Sequence, residues 1–174
     1  DGSYSNKSGG NGGAINVYAN NEANTGKDCI LRVVGCTFNN CSSKNSSAVG
    51  GAVRTTTKRM LLWGCTFNDA QSVTGGAVAM TNSSSVKLEI YGCSFNNSRA
   101  TGNGGAVSAA VPTLIVEDSP RADADLGDIV REEVDLHGVE HNTFTDCSAN
   151  RGGGIDNDKD GSSVTMENVS FIRC

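Results

Sequence analysis

"FNNCSSKNSSAVGGAV" occupies Phe38 to Val53, and the chain repeats that phrase three times. "FNDAQSVTGGAV" runs from Phe67 to Val78, "FNNSRATGNGGAV" from Phe95 to Val107, and "FTDCSANRGGGI" from Phe144 to Ile155. Each copy places a Phe ahead of a short polar stretch, a glycine pair and an apolar residue. A fifth phenylalanine, Phe171, opens the phrase again. The steps from Phe to Phe are 29, 28, 49 and 27 residues. A period this regular marks a repeated supersecondary unit, which buries its apolar face only by stacking on its neighbours.

Aligning the copies on Phe exposes the unit. Five residues before it stand Val33, Leu62, Ile90, Val139 and Met166, all apolar. Seven before it stand Leu31, Met60, Leu88, His137 and Val164. That two-residue period predicts a strand with one buried face. Three before it, Gly35, Gly64, Gly92 and Asn168 predict a bend, with His141 as the odd member. After the glycine pairs, Ile15-x-Val17, Val53-x-Thr55, Val78-x-Met80 and Val107-x-Ala109 predict a second strand. A helical solenoid would need apolar residues at i, i+3 and i+4 over ten or more positions. The runs here are short, alternating and broken by Gly. The sequence therefore predicts an all-β chain, a right-handed parallel β-helix of about five rungs ~4.8 Å apart. Phe fills the interior, Gly-Gly turns a corner, and Ala follows where the wall is close. Two residues after Phe stand Asn40, Asp69, Asn97 and Asp146, and the repeated Asn is expected to form an amide ladder along the stack.

Bulk composition agrees with a thin, repetitive core. Hydrophobic residues make up 37% and aromatics 5%, against 22 Gly and two Pro. The net charge of -5 disfavours nucleic acid as a partner. No apolar run reaches the ~18 residues of a membrane span. Residues 1–174 read as a single β-helix segment of a longer chain, with 117–135 as an acidic inserted loop that stretches one repeat to 49 residues.

The pairing of "GGAI" at Gly12 and "GGAV" at Gly50, Gly75 and Gly104 with a Phe-x-x-Asn-like motif resembles the repeats of chlamydial polymorphic outer-membrane proteins. It is also similar to repeats in surface proteins of some protists and algae. The Phe motif differs, with Cys41, Ala70, Ser98, Cys147 and Cys174 at plus three and the amide at plus two. The resemblance implies a β-helical extracellular segment, often adhesive, located outside the cell or at its surface.

Seven Cys point to an oxidising compartment, and the odd number leaves one thiol unpaired within the segment. Cys36, Cys65 and Cys93 share one slot in three successive rungs. Cys147 and Cys174 share another. Rung spacing lies within the Cα range a disulfide tolerates, so each slot can hold a bridge or a stack of thiols. Asn-x-Ser sequons stand at Asn6, Asn40, Asn45, Asn82, Asn96 and Asn168, consistent with a secreted glycoprotein.

Three stretches carry possible chemistry. "DNDKDGSSVTME" (Asp156 to Glu167) fits a calcium-loop pattern, with Asp156, Asp158 and Asp160 as candidate Ca²⁺ ligands and Gly161 at the sharp turn. The flanking strand patterns favour a solvated acidic turn over an EF-hand. "HGVEH" (His137 to His141) spells a zinc-protease motif. That motif needs a helix, and on a strand its His residues stand ~13 Å apart. The insertion holds eight acidic residues against two Arg and reads as a solvated loop, with a docking or cation-binding excursion as the alternative. Asp69 and Asp146 are the candidate carboxylates for a polysaccharide lyase or hydrolase. Both sit in the repeated slot two residues after Phe, which favours a structural role. No catalytic residue is assigned. The sequence reads as a non-catalytic spacer, adhesin or filament component. Its expected partners are further rungs, other subunits end to end or a cell-surface ligand. A carbohydrate-active enzyme and a calcium-dependent binding module are the alternatives.

Overall fold

The computed structural model describes residues 11–18, 29–43, 45–81, 86–131, 134 and 138–174. These residues form a β-solenoid of about five turns with almost no helix. Strands are numbered β1 to β17 in chain order. One sheet joins β1 (Ile15–Val17), β4 (Val53–Thr55), β8 (Val78–Met80), β12 (Val107–Ala109) and β15 (Ile155–Asn157). A second joins β2 (Ile30–Val34), β5 (Arg59–Trp63), β9 (Lys87–Tyr91), β13 (Thr113–Glu117) and β16 (Ser163–Met166). The third joins β3 (Thr37–Asn39), β6 (Thr66–Asn68), β10 (Ser94–Asn96), β14 (Thr143–Thr145) and β17 (Ser170–Ile172). These are called the first, second and third sheets below. A two-stranded strip, β7 (Gln71–Ser72) with β11 (Arg99–Ala100), runs beside the third. Neighbouring strands are parallel and in register.

Register puts like over like. Phe38, Phe67, Phe95 and Phe144 pair in the third sheet, and Phe144 pairs with Phe171. Their ring centroids are 4.8, 4.8, 4.7 and 4.9 Å apart, and the rings stack on nearly parallel planes. The rung step is thus the strand spacing itself. The column packs with Val53, Val78, Val107, Met60, Leu62, Leu88, Ile90, Leu114 and Val116 into one continuous core.

Three corners close each coil, and backbone chemistry sets all three. The residue three before Phe is left-handed at Gly35, Gly64, Gly92 and Asn168 (φ 58, 60, 47 and 51°). The residue two after Phe is left-handed at Asn40, Asp69, Asn97, Asp146 and Arg173. Asn and Asp tolerate this region better than most residues, which explains their recurrence there. The expected ladder is therefore corrected. Asn97 Nδ2 does reach Asp69. The continuous amide ladder stands one residue earlier, where Asn68 Nδ2 donates to Asn39 and Asn96 Nδ2 donates to Asn68, each at 2.8 Å. The third corner is the glycine pair. The first glycine takes positive φ, as at Gly75 (62°). The second is required by close approach instead: a Cβ on Gly76 would lie 1.9 Å from the Gly105 carbonyl oxygen.

The fourth rung departs from the Phe-based alignment. His137 lies outside the described residues, and Val139 is not in a strand. The strand equivalent to β9 is β13, whose Leu114 and Val116 pair with Leu88 and Ile90. The extra chain enters after β13, between Glu117 and Asn142, and so replaces a one-residue corner. Asn142 then resumes the coil in the slot that holds Cys93 one rung earlier. It is fully buried: its Oδ1 accepts from the Cys93 amide at 2.9 Å, and its Nδ2 donates to the Glu117 carbonyl.

Candidate functional site

The inserted segment is not the solvated loop expected from its charge. It lies across the outer face of the second sheet. Leu61, Trp63, Tyr91 and Ile115 point outward there, yet all four are buried. Leu126 covers them, with Ala124, Ile129 and Val134 packed around. The physical reason is local sequence. "RMLLW" and "TLIVE" are apolar on both faces, and an outward Leu or Trp gains ~1.5–3 kcal/mol by leaving water.

Ion pairs fix this strap in place. Asp125 reaches Arg32 of the first rung and Arg59 of the second, so the segment runs back along the stack. Arg59 also approaches buried Glu89 at 3.6 Å, and Lys87 pairs with Glu89 at 2.8 Å. Tyr91 donates its hydroxyl to Glu89 at 2.9 Å. Burial, then the Glu89 charge, raise the Tyr91 pKa above its ordinary value. At the strap's entry, Arg121 pairs with Glu117 and lowers that carboxyl's pKa. At its neck, His141 Nδ1 meets Asp118 Oδ2 at 3.0 Å, and Asn168 Nδ2 donates to the same oxygen at 2.9 Å. His141 is therefore a neck residue, and its protease partner in the motif, His137, lies outside the described residues.

Asp125 gives the strap a pH dependence whose sign follows from geometry. Its hydrogen bond with Arg32 holds the carboxyl below the usual carboxylate range. The clamp is intact above the unfolded value near ~4 and weakens as pH falls through the lower folded value. Trp63, the single Trp, reports on this. Its emission is expected to shift red on acidification before the β-sheet circular dichroism is lost. Asp125→Asn should show the shifted emission already at neutral pH. Trp63 emission that stays constant until the sheets unfold would show that Asp125 does not hold the strap.

Two of the three candidate calcium ligands, Asp156 and Asp158, meet one arginine. Asp156 lies in β15, and its carboxylate is engaged by Arg151 through Nε and Nη2, each at 2.9 Å. Asp158 meets the same guanidinium at 2.9 Å. The Arg151 guanidinium thus bridges Asp156 and Asp158. Among the described residues, no three Asp, Glu, His or Cys side chains gather as a metal site. The candidate catalytic carboxylates are engaged too, Asp146 by Arg173 and Asp69 by Asn97.

None of the seven cysteines is joined in a disulfide, and the stacked ones form ladders. The Cys65 amide donates to Cys93 Sγ at 3.4 Å, and the Cys93 thiol is pushed up by burial. Cys147 is raised chiefly by burial, with Cys174 beside it. Buried thiols of this kind pack as small hydrophobes.

One further surface was not singled out from sequence, the outer face of the third sheet. It presents Thr37, Thr66, Ser94, Thr143 and Ser170 in one rank and Asn39, Asn68, Asn96 and Thr145 in the next. The strap's neck overhangs this face and leaves two clefts. One, of about 390 Å³, is lined by Ser94, Gly138, Val139, Glu140, His141 and Thr143. The other, of about 370 Å³, is lined by His141, Asn168, Val169 and Ser170. The alternation that buries Phe also fixes these ranks, so the signal lay in the Thr/Ser-Phe-Asn/Thr triplets around four of the five phenylalanines.

No family model, curated protein or solved structure matches this chain.

Proposed function

We propose that this chain is a non-catalytic, extracellular β-solenoid segment, a structural spacer or adhesive surface component extended end to end by further rungs. One observation carries the reading, the character of the last turn. Interior columns that are sealed in the middle of the stack emerge there into solvent. Val164, Met166 and Phe171 are 47, 41 and 47% exposed, whereas Phe95 and Phe144 in the same column as Phe171 are at 0%. The terminal strands β15, β16 and β17 also present unpaired edges, and such edges template further pairing. A rung from the same chain or another subunit, with Phe in the Phe slot, would restore the step already repeated four times. The likeness of the repeats to bacterial and protist surface proteins supports the extracellular setting.

The test is self-association. Sedimentation velocity is expected to show concentration-dependent end-to-end species that Phe171→Asp abolishes while leaving the circular dichroism spectrum intact. A strictly monomeric wild type up to millimolar concentration would remove the assembly reading.

A further inference from the structure

We propose that the paired clefts beneath the strap's neck bind a neutral, hydroxyl-rich glycan chain laid along the stacking axis. The inference deepens the adhesive reading above and rests on it. The clefts lie in line on one sheet. Ser94 and Thr143 floor the first, Ser170 the second, and His141 lines both. Both are shallow and open to solvent, which suits a polymer lying across the surface rather than an enclosed small molecule. Together they form a track crossing three successive strands, β10, β14 and β17.

The floor retains hydrogen-bonding capacity toward a ligand. Thr143 and Ser94 hydroxyls stand 3.0 Å apart, and Ser94 reaches Asn96 Oδ1 at 3.3 Å. A hydroxyl has one donor and two acceptor sites, and an amide nitrogen has two donors. Each floor group therefore keeps at least one site after its contact within the face. The acceptor lone pairs left on Ser94 and Thr143, repeated at the rung step of about 4.8 Å, suit the donating hydroxyls of a sugar polymer. Val139 and Val169 supply apolar wall for the C–H faces of a sugar ring. His141, anchored through Nδ1 by Asp118, lines both clefts with its ring.

Charge selects the class. Glu140 and Asp118 stand at the neck, and among the described residues neither cleft is lined by Lys or Arg. Uronates, sulfated glycans and nucleic acid are therefore disfavoured. A protein strand is disfavoured as well, because the backbone edges of this sheet's inner strands are already paired.

The experiment titrates the whole chain with cellohexaose, xylohexaose and chitohexaose as neutral probes and hexagalacturonate as the acidic probe, by calorimetry. At least one neutral probe is expected to bind. Ser94→Arg, which fills the first cleft from an outward position, should weaken that binding tenfold or more without changing the melting temperature. Thr143→Val should weaken it less. Tyr18→Ser, beside a different sheet, should leave it unchanged. If Ser94→Arg proves unstable, Ser170→Arg tests the second cleft in the same way. No heat with any neutral probe overturns the proposal. So does tighter binding of hexagalacturonate, or binding that neither arginine variant alters. Self-association through the open last rung is read separately, so either idea can fail alone.

Discussion

Gly76→Ala is expected to abolish the cooperative fold. The added methyl would sit 1.9 Å from the Gly105 carbonyl oxygen and 2.7 Å from the Arg99 amide nitrogen and carbonyl oxygen. All three are backbone atoms of the next rung, held there by the ladder that makes the solenoid, so none can rotate away as a side chain would. Relief requires neighbouring coils to separate at that corner. Separation breaks the Gly76 amide hydrogen bond to the Gly104 carbonyl and disturbs the Ala77 amide bond to Ala106. The cost should exceed about 4 kcal/mol, the range reserved for severe backbone or core disruption. Gly161→Ala is the matched control. That glycine has φ +68°, and a Cβ there would meet nothing within 4 Å. Its cost is the left-handed strain alone, about 1–2 kcal/mol. Urea denaturation followed by circular dichroism separates the two. A Gly76→Ala protein that melts like Gly161→Ala would mean that the rungs are not held at this spacing.

Much of the fold was legible because stacking forces like residues into like slots. The phenylalanines, glycine pairs and alternating strands each mark a position that recurs in space as it recurs in sequence. The readings that failed concern contacts made outside that repeat. Counting back from Phe144 put His137 and Val139 in a strand, because a count along the chain does not reveal where extra residues enter. Leu114 and Val116 carried the same alternation just before Glu117 and were the better match. Charge made the insertion look solvated, yet "RMLLW" already had more apolar residues than one buried face can use. The calcium pattern left out an ion pair for a similar reason. Arg151 stands outside "DNDKDG", and only the glycine corner between them turns it back onto Asp156. The polar face of the third sheet was implicit in the triplets around Phe, but its clefts depend on the course of the strap.

Phe95→Ala should be the most costly side-chain truncation, at about 3–5 kcal/mol. Phe95 is fully buried, and its ring lies 4.8 Å from Phe67 and 4.7 Å from Phe144, so the cavity opens between two rings that the ladders hold in place. Phe171→Ala removes the same atoms from a ring that is 47% exposed, and its cost should be no more than about half as large. Position in the column, not residue type, then sets the energy. Because each coil touches only the coils beside it, coupling should extend one step. A double-mutant cycle on Phe67 and Phe95 is expected to show an interaction of about 0.5–3 kcal/mol. The same cycle on Phe38 and Phe144, with two rings between them, should be additive to within about 0.5 kcal/mol. Strong coupling in that distant pair would contradict a nearest-neighbour stack. A cost below about 1 kcal/mol for Phe95→Ala would place the stabilisation outside the aromatic column, in the backbone ladders and the strap.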